Sequence, residues 1–101
     1  MKAEVPIRHY TYMLCCADGT LYSGYTTDPE RRAAEHNSGQ GAKYTRSRLP
    51  VELVYTECWA TKSEALKREA ALKKLSRIEK LSLITPTFQR TDAAADATNK
   101  R

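Results

Sequence analysis

Long apolar runs are missing from this chain, and so are the cysteine and histidine patterns that build disulfide scaffolds or metal cages. With 29% of its residues charged, it has no stretch approaching the roughly 20 apolar positions that a membrane helix needs. Three cysteines make no disulfide framework. Cys15 and Cys16 are neighbours in an expected strand, so their side chains point to opposite faces, and Cys58 stands alone. His9 and His36 are not spaced with any cysteine as zinc ligands are. No apolar segment resembling a signal peptide lies between Met1 and His9, so the expected location is cytoplasmic, with reduced thiols and no membrane association. At 101 residues there is room for one small domain and one modest core.

What the chain does have is positive charge, a net +5, and it is unevenly placed. Residues 1–30 hold two basic and four acidic side chains, whereas residues 31–80 hold twelve basic and six acidic. A concentrated positive face suits a polyanion, most simply nucleic acid, although solvated helix faces give the same composition.

The order of elements follows from local chemistry. His9 to Ala17 is rich in tyrosine, threonine and apolar residues and reads as a strand. Asp18 and Gly19 form a hairpin signal, and Thr20 to Tyr25 is the partner strand. Asp28 as N-cap and Pro29 at the first helical position open a helix to about Asn37 or Ser38. Gly39 and Gly41 begin a basic loop carrying Lys43, Tyr44, Arg46 and Arg48, which closes at Pro50. Val51 to Trp59 is a third strand. Thr61 and Glu64 form a capping box for a helix to about Leu75, and Ser76 and Glu79 repeat it for a short helix to Ile84. The fold class is α+β, a small three-stranded antiparallel sheet with flanking helices in the order β-β-α-β-α-α, one domain over residues 8–84. Residues 85–101, rich in Thr, Ala, Asp and Lys, are expected to be a disordered tail.

Tyr10, Thr11 and Tyr12, then Tyr22, Ser23 and Gly24, followed by Arg32, His36 and the helical Glu69, resemble the GIY-YIG nuclease superfamily. The likeness is to its small stand-alone bacterial members, over roughly residues 8–80. Gly41 to Lys43 and the segment Thr27 to Arg32 are also similar to the endonuclease subunit that cuts branched DNA. Tyr10 and Thr11 depart from the glycine and isoleucine of the first motif, Tyr25 stands where some relatives have lysine, and Ala71 where some have asparagine.

The resemblance implies a metal-dependent endonuclease that hydrolyses DNA phosphodiester bonds. Substrates would be branched, nicked or single-stranded structures met in DNA repair or recombination. Tyr22 is slightly favoured over Tyr12 as the base that takes a proton from water, the other phenol orienting or contacting phosphate. Arg32 would meet the charge developing on phosphorus, with His36 on the same helix face four residues on. Glu69 would hold a single Mg²⁺ or Mn²⁺. It lies beside the apolar stripe of Ala65 and Leu72, and an ordinary helix pair with Lys73 is the plainer reading of the same residue. Gly24, Lys43, Arg46 and Arg48 are the expected substrate contacts, with Tyr44 or Trp59 available to stack on a base. A protein partner supplying specificity, and a monomer or weak dimer, complete the expectation. The alternative is a nucleic-acid-binding module with weak or no catalysis that relies on such a partner.

Overall fold

A computed structural model describes residues 7–84; the expected tail over 85–101 lies outside the described residues. Three strands, β1 (His9–Cys15), β2 (Leu21–Thr26) and β3 (Glu52–Trp59), form an antiparallel sheet in the order β2-β1-β3. Helices α1 (Pro29–Asn37) and α2 (Lys43–Arg46) precede β3, and α3 (Lys62–Lys73) follows it. A last helix, α4, covers residues 77–84.

The boundaries have local causes. Gly19 takes φ +86 in the β1–β2 turn, a conformation that side chains disfavour, and Asp18 accepts from the Thr20 amide and hydroxyl to close it. Asp28 caps α1 through the Arg31 amide, with Pro29 behind it. The Thr61 hydroxyl accepts from the Glu64 amide while Glu64 accepts from that of Thr61, and Ser76 and Glu79 repeat this reciprocal cap. One element corrects the expectation. The basic loop after α1 contains a helical turn, α2, so the helix count before β3 is two. No side chain caps α2; it is held by Thr45, which is fully buried among residues distant in sequence.

Both sheet faces are covered. Tyr12, Leu14, Cys16 and Val51 form a cluster on one face, joined by Tyr22 and by Ala33 of α1. Met13, Val54, Leu72 and Ile84 form the other, under α3 and α4. The pairing register shifts between Met13 and Leu14 against β3, which lets the consecutive Val54 and Tyr55 both join the second cluster. The Thr11 hydroxyl donates to the Ala65 carbonyl at 2.7 Å, and Arg68 pairs with Glu57 at 2.9 Å, so α3 is fixed across the sheet at two points. Leu72 is completely buried. Leu72→Ala is expected to cost about 2–5 kcal/mol, read as a lowered urea midpoint with an unchanged slope.

Candidate active site

The register of β1 and β2 brings the two motif tyrosines together. Tyr12 lies opposite Gly24, and Tyr22 opposite Leu14, so Tyr12 and Tyr22 are diagonal neighbours on one face. Their ring centroids are 6.5 Å apart. Gly24 is needed for that approach: a Cβ there would lie 2.5 Å from the Tyr12 hydroxyl oxygen. The glycine thus clears the path of the Tyr12 ring across the neighbouring strand.

Tyr12 is 1% exposed, and its hydroxyl lies 2.9 Å from Nε2 of the fully buried His36. His36 Nδ1 lies 2.8 Å from the Thr45 hydroxyl, which donates to the Ala42 carbonyl at 2.9 Å. Arg32, which can only donate, faces the Tyr12 oxygen. One assignment satisfies every side-chain proton along this run of hydrogen bonds, at the expense of the longer 3.4 Å approach of the Ala42 amide to the same Nδ1. The Arg32 charge sits beside Tyr12, Tyr12 donates to His36 Nε2, His36 Nδ1–H to Thr45, and Thr45 to the carbonyl of Ala42. His36 is then neutral. Burial, seconded by the Arg32 charge, holds its pKa below the usual 6.5. Burial pushes the Tyr12 phenol up to about 12, with Arg32 opposing and the charges of Tyr22 and Glu69 adding to the rise. Gly41 makes room for His36 as Gly24 does for Tyr12, since a Cβ at Gly41 would collide with the imidazole.

Tyr22 is the more exposed phenol. Its ring meets His36 edge-on at 5.4 Å, stacks on Tyr44 at 5.9 Å, and has the Lys73 ammonium 5.6 Å from its centroid. Arg32 also donates to Glu35 at 2.9 Å, one turn along α1, which raises its pKa and fixes the guanidinium. Glu69 comes from the opposite layer, along α3, and its side chain is 20% exposed. Its carboxylate lies 3.2 Å from Lys73 Nζ and close enough to Tyr12 to raise the phenol's pKa.

Tyr12, Tyr22, Arg32, His36 and Glu69 therefore meet in one place. The expected substrate contacts do not share one surface role. Gly24 is packed against Tyr12. Arg48 pairs with Asp18 at 3.0 Å, donates to the Tyr44 carbonyl and stands over the Tyr44 ring, so it ties α2 to the hairpin turn. Lys43 and Arg46 remain exposed on α2. Trp59 lies opposite His9 at the end of β3, the strand farthest from β2. Sequence reasoning missed Thr45, which has no local signal because its contact with His36 spans nine residues and two helices.

Of the two carboxylates at this cluster Glu35 is committed to Arg32, which leaves Glu69, and the described residues hold no group of three or more His, Cys, Asp or Glu able to cage a metal. A single carboxylate fits an ion that keeps most of its shell as water and phosphate oxygen, as magnesium and manganese do. No described helix is long and apolar enough to cross a membrane.

Residues 8–82 match the GIY-YIG catalytic domain. Among similar proteins, a UPF0213 protein of Natronomonas pharaonis is 60% identical over 76 residues, covering 75% of this chain and 89% of its own. One from Staphylococcus saprophyticus is 58% identical over 78 residues, covering 77% and 95%. The solution NMR structure of a UPF0213 protein from Bacillus halodurans is 42% identical, with a TM-score of 0.55, covering 92% of this chain and 99% of that one.

The neutral, buried His36 makes stability depend on pH. Below 6.5 the unfolded chain takes up a proton that the folded chain resists, so this contribution is complete above 6.5 and falls away as pH drops through the lower folded value. Between pH 7.5 and 5.5 the urea midpoint should fall further in the native protein than in His36→Gln. Equal slopes in the two proteins would contradict the neutral assignment.

Proposed function

This chain belongs to the GIY-YIG catalytic domain family, and on that premise we propose that it is a divalent-metal-dependent endonuclease hydrolysing DNA phosphodiester bonds. The proposed substrates are branched, nicked or single-stranded DNA of the kind processed in repair and recombination. One observation carries the reading. Tyr22, Arg32 and Glu69, from β2, α1 and α3, converge on the Tyr12–His36 pair.

The roles follow from exposure and partners. Tyr12 is a positioning residue: its hydroxyl is committed to His36, and burial opposes its ionisation. Tyr22 is the phenol open to substrate, and in its phenolate form it accepts the proton of the attacking water as that oxygen bonds to phosphorus, while the leaving oxygen takes its proton from solvent. Arg32, aligned by Glu35, meets the negative charge that builds on the non-bridging oxygens. The bond from phosphorus to the ester oxygen then breaks, leaving a phosphomonoester and an alcohol, with no covalent enzyme intermediate. Glu69 would hold Mg²⁺ or Mn²⁺, which when bound supplies Lewis-acid stabilisation of the leaving oxygen. Lys73 keeps the Glu69 carboxylate aimed across the β2 edge.

The test is cleavage of labelled linear, nicked, single-stranded and branched DNA with Mg²⁺, with Mn²⁺ and with chelator. Products should form only with a divalent ion. Tyr22→Phe and Glu69→Gln should each slow cleavage about 10²–10⁴-fold, and Arg32→Ala about 10²–10³-fold, with folding intact by circular dichroism. Cleavage unaffected by all three substitutions would sink the assignment. Binding of DNA by the native protein without cleavage under any metal condition would favour a binding module instead.

A further inference from the structure

Where the hairpin turn meets α4 there is an open concavity of about 210 Å³, lined by Thr20, Leu21, Arg77 and Lys80. Its charge is uncompensated. Among the described residues neither Arg77 nor Lys80 has a carboxylate within ion-pair range, since Asp18 on the turn is held by Thr20 and Arg48, and Glu79 is spent on the amide of Ser76. Arg77 gives one N–H to the Gly19 carbonyl at 2.6 Å, which locks α4 against the turn and leaves the rest of its donor fork facing outward. Lys80 is half-buried in the wall of this hollow.

The hollow borders the strand that carries Tyr22, on the α3 and α4 side of the sheet, the face opposite the Tyr22 ring. Thr20 and Leu21 directly precede Tyr22 in the chain, so the hollow and the tyrosine are reached from the same end of β2. β2 is an edge strand, with β1 as its one sheet neighbour. Lys73 at the end of α3 lies over the Tyr22 ring, and Arg77 opens α4 just after the turn that follows, so both basic groups come from the segment that joins the two helices. We infer that the Thr20, Leu21, Arg77 and Lys80 hollow is a phosphate seat for the substrate strand where it passes the open edge of β2, with Lys80 and Arg77 as its ligands. Thr20 shapes the seat without donating, because its amide and hydroxyl are already given to Asp18. The inference rests on the nuclease reading above for the identity of the polyanion, though not for the existence of the seat.

The test uses the full chain and a fluorescein-labelled single-stranded 12-nucleotide DNA, with binding read by anisotropy in chelator over a range of salt. Lys80→Gln leaves the Arg77 lock in place. It should weaken binding roughly threefold at low salt and reduce the slope of log affinity against log salt by about 0.7, the signature of one lost phosphate contact. Lys67→Gln, the same loss of charge about 160° around α3 from Glu69, should leave the slope unchanged. Hydrolysis of bis(p-nitrophenyl) phosphate, too small to reach the hollow, should be equal in native and Lys80→Gln proteins. Equal slopes for native and Lys80→Gln, or equal losses in Lys80→Gln and Lys67→Gln, would overturn the seat. A native protein that hydrolyses neither substrate, yet shows the Lys80-specific slope change, would overturn the nuclease reading and leave the seat standing.

Discussion

The run of hydrogen bonds from Tyr12 through His36 and Thr45 to the Ala42 carbonyl is the constraint around which the rest is arranged. Each of these side chains is essentially removed from water, and a buried polar group left without a partner costs about 1–3 kcal/mol. The chain is satisfied only when β1, α1 and α2 occupy their places together. That requirement explains why a helical turn with no side-chain cap forms at all. It also explains two glycines: Gly24 gives passage to Tyr12, and Gly41 to His36. Direction matters as much as contact. A carbonyl accepts at one end and the Arg32 charge lies at the other, which favours the tautomer that donates from Nδ1 and the phenol orientation that donates to Nε2.

Around that interior chain the proposed reactive groups reach the edge of the sheet from both of its layers. Arg32 comes from α1 on one face. Glu69 and Lys73 come from α3, which is anchored on the other face by Thr11 and by Arg68. The edge strand β2 is what allows this, since side chains from both layers can pass its open side. The same openness exposes the turn before Tyr22, where Arg77 and Lys80 of α4 approach. Rigid anchoring of α3 through Ala65 and Leu72, both fully buried, fixes where its carboxylate can lie.

Several features were legible in the residues because they depend on neighbours. The Asp18–Gly19 turn, the Asp28 cap with Pro29, and the reciprocal caps of Thr61 with Glu64 and of Ser76 with Glu79 all involve groups within three positions. Strand and helix order followed from these, and the spacing of Tyr12, Tyr22, Arg32, His36 and Glu69 carried the family. The helical turn α2 was not legible. It is held by Thr45 reaching His36, a contact whose worth comes from burial rather than from any preference of the turn itself. Arg48 reads as a free cation in a basic loop, yet Asp18, thirty residues earlier, claims it. Lys73 reads as a simple helix partner of Glu69, which it is, while its place over Tyr22 depends on how α3 crosses the sheet.

The sequence by itself determined the elements, their caps and turns, and the kinds of chemical group available, because those follow from short-range sterics and hydrogen bonding along the backbone. Only the tertiary structure decided which of those groups are spent and which remain exposed to a substrate. Arg48 is consumed in holding the hairpin, and Tyr12 is withdrawn into the interior. Tyr22 stays at the open edge, and Lys80 has no carboxylate partner among the described residues. Those outcomes depend on which buried polar groups find partners and on which charges lie within ion-pair distance, and both are set by packing between elements distant along the chain.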